Sequence, residues 1–283
     1  MRLQRLGPVG SERPAVQVDG VAYDLAQLTN DFDGDFFAAD GLRRVQDLLD
    51  AGTLKPISGA EHLRVGPPIA RPGKIVCVGL NYRDHAAETG QSVPDEPMVF
   101  MKDPSTIVGP NDDLVIPRGS SKTDWEVELG VVVGRTTHYL ESPEVAMEHV
   151  AGYVLVNDVS EREFQKERGG SIDKGKNCAT FAPLGPWFLS RDEVADPQAL
   201  RLTTTVNGEP RQDGTTADMI FGVAHIVWYL SQFMPLHPGE LVLTGTPAGV
   251  ALGMAEPAFL RAGDVVELTV DGLGATRQRC VPA

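Results

Sequence analysis

The chain has 283 residues, enough for one large domain, or a large and a small one, with a sizeable core. Hydrophobic residues make up 42% and charged residues 23%, ordinary values for a soluble globular enzyme. A formal net charge of −14 argues against nucleic acid as a partner, because phosphate binding needs a basic surface. An acidic protein that takes an anionic substrate must compensate locally, and a bound cation does so. Thirty glycines and 21 prolines favour a β-rich, loop-rich architecture over a helical bundle. Cys77, Cys178 and Cys280 lie far apart, without metal-ligand or disulfide spacing, and read as reduced thiols. The opening residues lack the apolar run of a signal peptide, and no stretch is long enough to span a bilayer. A soluble, cytoplasmic protein is expected.

Val16-Gln17-Val18 and Val21-Ala22-Tyr23 flank Asp19-Gly20, a strong hairpin signal. Leu42, Val45, Leu48 and Leu49 then recur at helical spacing and are capped by Gly52. Gly66-Pro67-Pro68 and Arg71-Pro72-Gly73 place a boundary near residue 70, giving a small N-terminal domain over 1–70 and a larger one over 71–283. Lys74–Gly79 reads as a buried strand, followed by strands at 98–101, 114–116, 125–134, 152–157, 186–189, 201–206, 241–244 and 265–270. Asn207-Gly208 is a turn between two of these elements. A helix is expected over roughly 218–233, on which His225 is a satisfied core or surface histidine.

Two glutamates carry the first chemical signal. In Thr123-Asp-Trp-Glu126-Val-Glu128-Leu-Gly130 a strand puts Glu126 and Glu128 on one face and Trp125, Val127 and Leu129 on the other. Carboxylates about 7 Å apart on one strand face repel unless water or a cation relieves them, and a hard divalent ion prefers such oxygens. A solvated strand face is the bland alternative. Asp158 ends the apolar strand 151–157, where a lone Asp is often a turn residue. With the two glutamates it makes three oxygen donors, leaving open positions for water and substrate. Between Asn81 and Gly90, as cap and stop of a short helix, His85 and Glu88 fall at i and i+3. A histidine oriented by a carboxylate is a general base matched to neutral pH. No serine sits in a nucleophile-elbow setting, so activated water is the expected nucleophile.

Several blocks then resemble the fumarylacetoacetate hydrolase family. They are Lys74-Ile-Val-Cys-Val-Gly-Leu-Asn-Tyr-Arg-Asp-His85-Ala-Ala-Glu88, Asp124-Trp-Glu126-Val-Glu128-Leu-Gly, Asn157-Asp158-Val-Ser-Glu-Arg162-Glu-Phe-Gln165 and Gly175-Lys176. Phe181-Ala-Pro-Leu-Gly-Pro186, Val206-Asn-Gly, Asp218-Met-Ile-Phe-Gly, Leu243-Thr-Gly-Thr246-Pro-Ala-Gly-Val, Gly263-Asp-Val-Val-Glu and Gly272-Leu-Gly continue it, covering roughly 70–283 in order. Where many relatives carry Asp three residues after the lysine, this chain has Ala179, which puts local loop geometry in doubt. The resemblance implies a β-rich α+β fold, a mixed β-roll or β-sandwich catalytic domain behind a small N-terminal α+β domain, and a homodimer.

It also implies that Glu126, Glu128 and Asp158 bind Mg²⁺ or Mn²⁺, that His85, Glu88 and Lys176 are catalytic, and that Arg83, Arg162, Gln165 and Thr246 bind substrate. The substrate expected is a 2-oxo or 2,4-dioxo acid. His85, polarised by Glu88, deprotonates a water that attacks C4, and the metal and Lys176 stabilise the pyruvate enolate that leaves. The bacterial branch acting on 2,4-diketo-3-deoxy sugar acids is the nearest in pattern, with ureidoglycolate lyase a common label for it. Acylpyruvate or fumarylpyruvate hydrolysis, oxaloacetate decarboxylation and a non-catalytic metal-binding role are the alternatives. A loop after Asn81 or over 165–175, hinged at Gly169-Gly170, is expected to act as a lid.

Overall fold

The computed structural model describes residues 1–283. The chain begins with strands β1 (Arg2–Leu6), β2 (Arg13–Val18) and β3 (Val21–Asp24) and helix α1 (Gly41–Asp50). Asp19 and Gly20 both take positive φ, 48° and 80°, as a two-residue hairpin turn of the right twist requires. Next come β4 (Ile75–Gly79), α2 (Arg83–Glu88), β5 (Met98–Lys102), β6 (Leu114–Ile116), β7 (Val127–Val133) and β8 (Val150–Asn157). Helices α3 (Arg162–Lys166) and α4 (Ile172–Lys176) precede β9 (Phe188–Ser190), β10 (Arg201–Val206) and β11 (Glu209–Thr215). The chain closes with α5 (Val223–Ser231), β12 (Leu241–Leu243), β13 (Val265–Val270) and β14 (Gly274–Pro282).

The main sheet runs β3-β2-β1-β9-β8-β7-β12-β4-β5, with the short strand Val65–Gly66 also pairing β1. Only β12 and β4 are parallel neighbours in it. A second sheet, β11-β10-β13-β14-β6, packs beside it. This is the β-rich, mixed-sheet α+β architecture that the sequence led one to expect. The punctuation near residue 70 is not a break in the sheet, since Arg2 pairs with Leu189 across β1 and β9. Leu3, Val16, Phe36 and Val45 share one core with Ile75, Cys77, Val132 and Val154.

The central strands β7 and β8 are buried on both faces, which decides what β7 can do. Val127, Leu129 and Val131 enter the larger core with Tyr153, Leu155 and the inner face of α5. Val132 enters the other with Val154, Val156 and Leu243. Every residue of β7 is buried, so its glutamate cannot belong to a solvated face.

Four elements differ from expectation. The helix after residue 218 starts only at Val223, because Thr216–Asp218 forms a separate single turn. β11 and β14 carry polar residues on their inward faces, Gln212 on one and Thr276 and Gln278 on the other, so they lack the apolar alternation that announces a strand. Asn81 does not cap α2: its side chain donates to Phe221 O (3.0 Å) and Thr244 O (2.7 Å), and Tyr82 precedes the helix without a side-chain cap.

Candidate metal centre and cleft

The register of β7 on β8 assembles the carboxylates. Val127 pairs with Asn157, and Asp158 N donates to Glu126 O at 2.9 Å, so Glu126 and Asp158 stand opposite each other. Opposed residues of an antiparallel pair share a face, and Glu128 is the next residue on that face. One ligand oxygen from each of Glu126, Glu128 and Asp158 lies within 4.8 Å of the others, and all three side chains are buried.

Buried cations hold this cluster. Lys176 Nζ donates to Glu126 Oε2 (2.8 Å) and Asp158 Oδ2 (2.6 Å). Lys102 Nζ lies 2.8 Å from Asp158 Oδ1 as an ion pair, off the direction of a hydrogen bond. Arg162 Nη2 lies 2.7 Å from Glu126 Oε1, likewise off-axis, while its Nε donates to Asp124 Oδ2 at 2.9 Å. Glu128 has no cation and accepts only the amide of Gly245, at 2.8 Å. That close approach requires a glycine: at φ 93° a Cβ would meet Asn81 Cβ at 2.8 Å.

The protonation equilibria divide accordingly. Burial opposes ionisation of Glu126, but Lys176 and Arg162 outweigh it and hold the carboxyl well below its usual range. Burial pushes Glu128 well above that range, and the charges on Asp158 and Glu126 push it further. For Lys176 burial works against the charge, and Asp158 and Glu126 more than offset it, so its ammonium is held above the ordinary lysine value.

The donor set fits a hard divalent cation such as Mg²⁺ or Mn²⁺: three carboxylates, no nitrogen or sulfur donor, and oxygens already convergent. The charges agree. With every acid ionised, as a bound cation would require, four acids (Asp124, Glu126, Glu128, Asp158) face three cations (Lys102, Arg162, Lys176), a balance of −4 + 3 = −1. A divalent ion turns this to +1, which suits an anionic substrate.

His85 and Glu88 lie on α2 as expected, with Nδ1 at 2.7 Å from Glu88 Oε1, and Glu88 Oε2 accepts from Gly249 N at 2.9 Å. His85, Glu126, Glu128, Lys176, Arg162, Gln165 and Thr246 all line one cleft, open to solvent, with about 560 Å³ of empty space. Arg162 is largely committed to Asp124 and Glu126, and Thr246 donates to Val127 O at 2.9 Å. Arg83, expected to bind substrate, is exposed, donates to Met219 O at 2.9 Å, and is not part of the cleft wall. Residues two apart on a helix point to nearly opposite sides, and α2 turns His85 inward and Arg83 outward. Gln165, Lys166 and Ile172, from the segment expected to form a lid, line the cleft too. His225 stacks between Phe221 and Tyr229 on α5, outside the cleft.

Two residues escaped sequence reasoning. Lys102 closes the apolar run Met98–Met101, where a lysine reads as the exposed end of a strand, yet it is fully buried. Asp124 precedes the glutamates, and its two oxygens gather Trp125 N, Ala251 N, Leu252 N and Arg162 Nε. A buried acid with four donors has no local sequence signature, because its partners come from distant segments.

Residues 74–281 match the family profile described as fumarylacetoacetate (FAA) hydrolase C-terminal. A protein of Burkholderia ambifaria, provisionally named a hydrolase, is 50% identical over 280 residues, spanning 98% of each chain. The crystal structure of 2-hydroxyhepta-2,4-diene-1,7-dioate isomerase from Mycobacterium marinum superposes with TM-score 0.76 and 32% identity over 100% of this chain and 98% of that one. Maleylpyruvate hydrolase from Sphingobium sp. SYK-6, solved with manganese(II) and pyruvate, gives TM-score 0.82 and 26% identity over 100% of both chains. The chain belongs to the fumarylacetoacetate hydrolase family. No helix is long and apolar enough to cross a membrane.

Proposed function

We propose that the protein is a metal-dependent enzyme that hydrolyses the C3–C4 bond of a 2,4-dioxo acid, releasing pyruvate and a second acid. The observation that carries this reading is the meeting, at one cleft, of a three-carboxylate cluster and a His85–Glu88 dyad, with Glu126, Glu128 and His85 in the cleft wall. A divalent cation held by Glu126, Glu128 and Asp158 would supply Lewis-acid polarisation of the substrate's oxygens.

The protein groups do the rest. Glu88 fixes Nδ1 of His85 as the protonated nitrogen and leaves Nε2 as the base. Nε2 takes a proton from water as the water oxygen attacks C4, and Glu88 stabilises the imidazolium that forms. The C3–C4 bond breaks, negative charge gathers on the C2 oxygen, and the ammonium of Lys176 in the cleft wall lies among the charges that stabilise it. His85 returns its proton to C3, so the sum is one water consumed, one acid and one pyruvate made. Gln165 and Thr246 add polar groups to the wall that orient the substrate.

The dyad favours hydrolysis over oxaloacetate decarboxylation, which needs no activated water. The likeness to the isomerase supports a second reading, in which His85 moves a proton between carbons of a 2-hydroxydienoate. A 2,4-diketo-3-deoxy sugar acid and an acylpyruvate present the same head group and differ in the tail.

The experiment is pyruvate release from a panel of 2,4-dioxo acids and oxaloacetate, with Mg²⁺ or Mn²⁺ and with chelator. Metal-dependent turnover of a 2,4-dioxo acid, well above oxaloacetate, is expected. Turnover that survives chelation, or a preference for oxaloacetate, would overturn the reading.

A further inference from the structure

Asp158 is held by two ammonium groups, and their surroundings give them different standing. Lys102, at the end of edge strand β5, is 1% exposed and does not line the cleft. Its Nζ faces three oxygens: Asp158 Oδ1 at 2.8 Å, the main-chain oxygen of Val159 at 3.2 Å and that of Lys176 at 2.6 Å. The two carbonyls accept hydrogen bonds and the carboxylate is an ion pair, all shut away from solvent, so releasing any member would strand a buried polar group. Lys176 is different. Its Nζ also meets three oxygens, Asp158 Oδ2 (2.6 Å), Glu126 Oε2 (2.8 Å) and the main-chain oxygen of Asp158 (3.2 Å), but it forms part of the cleft wall, where water or a substrate oxygen can replace a carboxylate it gives up.

We infer that Lys102 is a positioning residue that locks Asp158 through Oδ1 and so aims Oδ2 at Lys176 and the other two carboxylates, while Lys176 is an exchangeable partner that yields Asp158 and Glu126 to a divalent cation. The two lysines therefore act on metal binding with opposite sign. Lys102 pre-orients one ligand, and through the carbonyl of Lys176 it also anchors the end of α4 from which that side chain reaches. Lys176 competes with the metal for two of its oxygens and, once displaced, is free to meet the substrate. This inference rests on the metal-binding half of the reading above and not on the reaction assigned to the site.

The test is a titration of the purified full chain with Mn²⁺ and no substrate, reading free Mn²⁺ by electron paramagnetic resonance. Circular dichroism at the same temperature confirms that each variant is folded. Lys102→Met is expected to raise the Mn²⁺ Kd by about 10–100-fold, the usual consequence of losing a group that orients a metal ligand. Lys176→Met is expected to leave the Kd unchanged or to lower it. In turnover, the deficit of Lys102→Met recovers at saturating Mn²⁺ and that of Lys176→Met does not, a split that mere loss of stability would not produce.

A folded Lys102→Met protein whose Kd rises by less than about tenfold overturns the inference, as does a Lys176→Met protein whose Kd rises by that much. Where Lys102→Met fails to fold, the Lys176→Met titration decides alone. Wild-type protein that binds Mn²⁺ but turns over no 2,4-dioxo acid overturns the assigned reaction and leaves the roles of the lysines to the Kd values. Wild-type protein that binds no Mn²⁺ overturns both.

Discussion

Asp124→Asn is the substitution that most directly probes how the fold holds this site. Oδ1 of Asp124 accepts from Trp125 N (2.9 Å) and Ala251 N (2.8 Å), and Oδ2 accepts from Leu252 N (3.1 Å) and Arg162 Nε (2.9 Å). An asparagine can keep its oxygen on one pair of donors, but its NH₂ then faces N–H groups on the other. Turned to spare the backbone amides of Trp125 and Ala251, it loses Leu252 N and the charge on Arg162. Both partners of that ion pair are buried, and breaking such a pair from one side costs about 3–5 kcal/mol. At roughly 2 °C per kcal/mol for a chain of this size, the melting temperature falls by roughly 6–10 °C. Differential scanning calorimetry in metal-free buffer at neutral pH measures it. The control is Asp213→Asn, which breaks the exposed pair of Asp213 with Arg201 and shifts melting by no more than about 2 °C, since exposed pairs contribute about 0–1 kcal/mol. Equal shifts for the two variants would refute the reasoning that burial makes Asp124 an anchor.

Glu128→Gln tests the uncompensated carboxyl. In chelator the native protein holds a proton on Glu128 at pH values where the unfolded chain, with its ordinary carboxyl near 4.5, has lost it. Stability therefore falls as pH rises from that unfolded value through the raised native one, and Glu128→Gln flattens the fall between pH 5 and 8; parallel melting curves would contradict this. His85→Asn should lower kcat by about 10²–10⁴-fold in the pyruvate-release assay, the range for losing a general base, with Mn²⁺ affinity kept. Arg83→Ala should leave kcat/KM within about threefold, because this exposed residue meets main-chain carbonyls rather than the cleft; a large loss would return Arg83 to the substrate.

Much of the site was legible because its chemistry is written in local spacing. Glu126, just ahead of β7, and Glu128, on it, are two residues apart in extended chain and so share a face, and His85 and Glu88 share a helix face at i and i+3. The hairpin at Asp19-Gly20 was legible for the same reason, since the turn chemistry is contained in two residues. The inward polar residues of β11 and β14 were not, because their hydrogen bonds run to other segments: Gln212 receives Val127 N and donates to Thr246 Oγ1, while Gln278 receives Asn157 Nδ2.

By itself the sequence determined which residues carry charge, which periodicities they obey and, through motifs in register from Lys74 onward, the family. Only the tertiary structure decided that Glu126 faces Asp158, that Lys102 is buried against that acid, that Asp124 ties three segments together and that Arg83 turns away. The physical reason is range. Backbone geometry within a few residues is fixed by local sterics, whereas the pairing of buried charges is fixed by which strands lie side by side, and that follows from packing the whole chain.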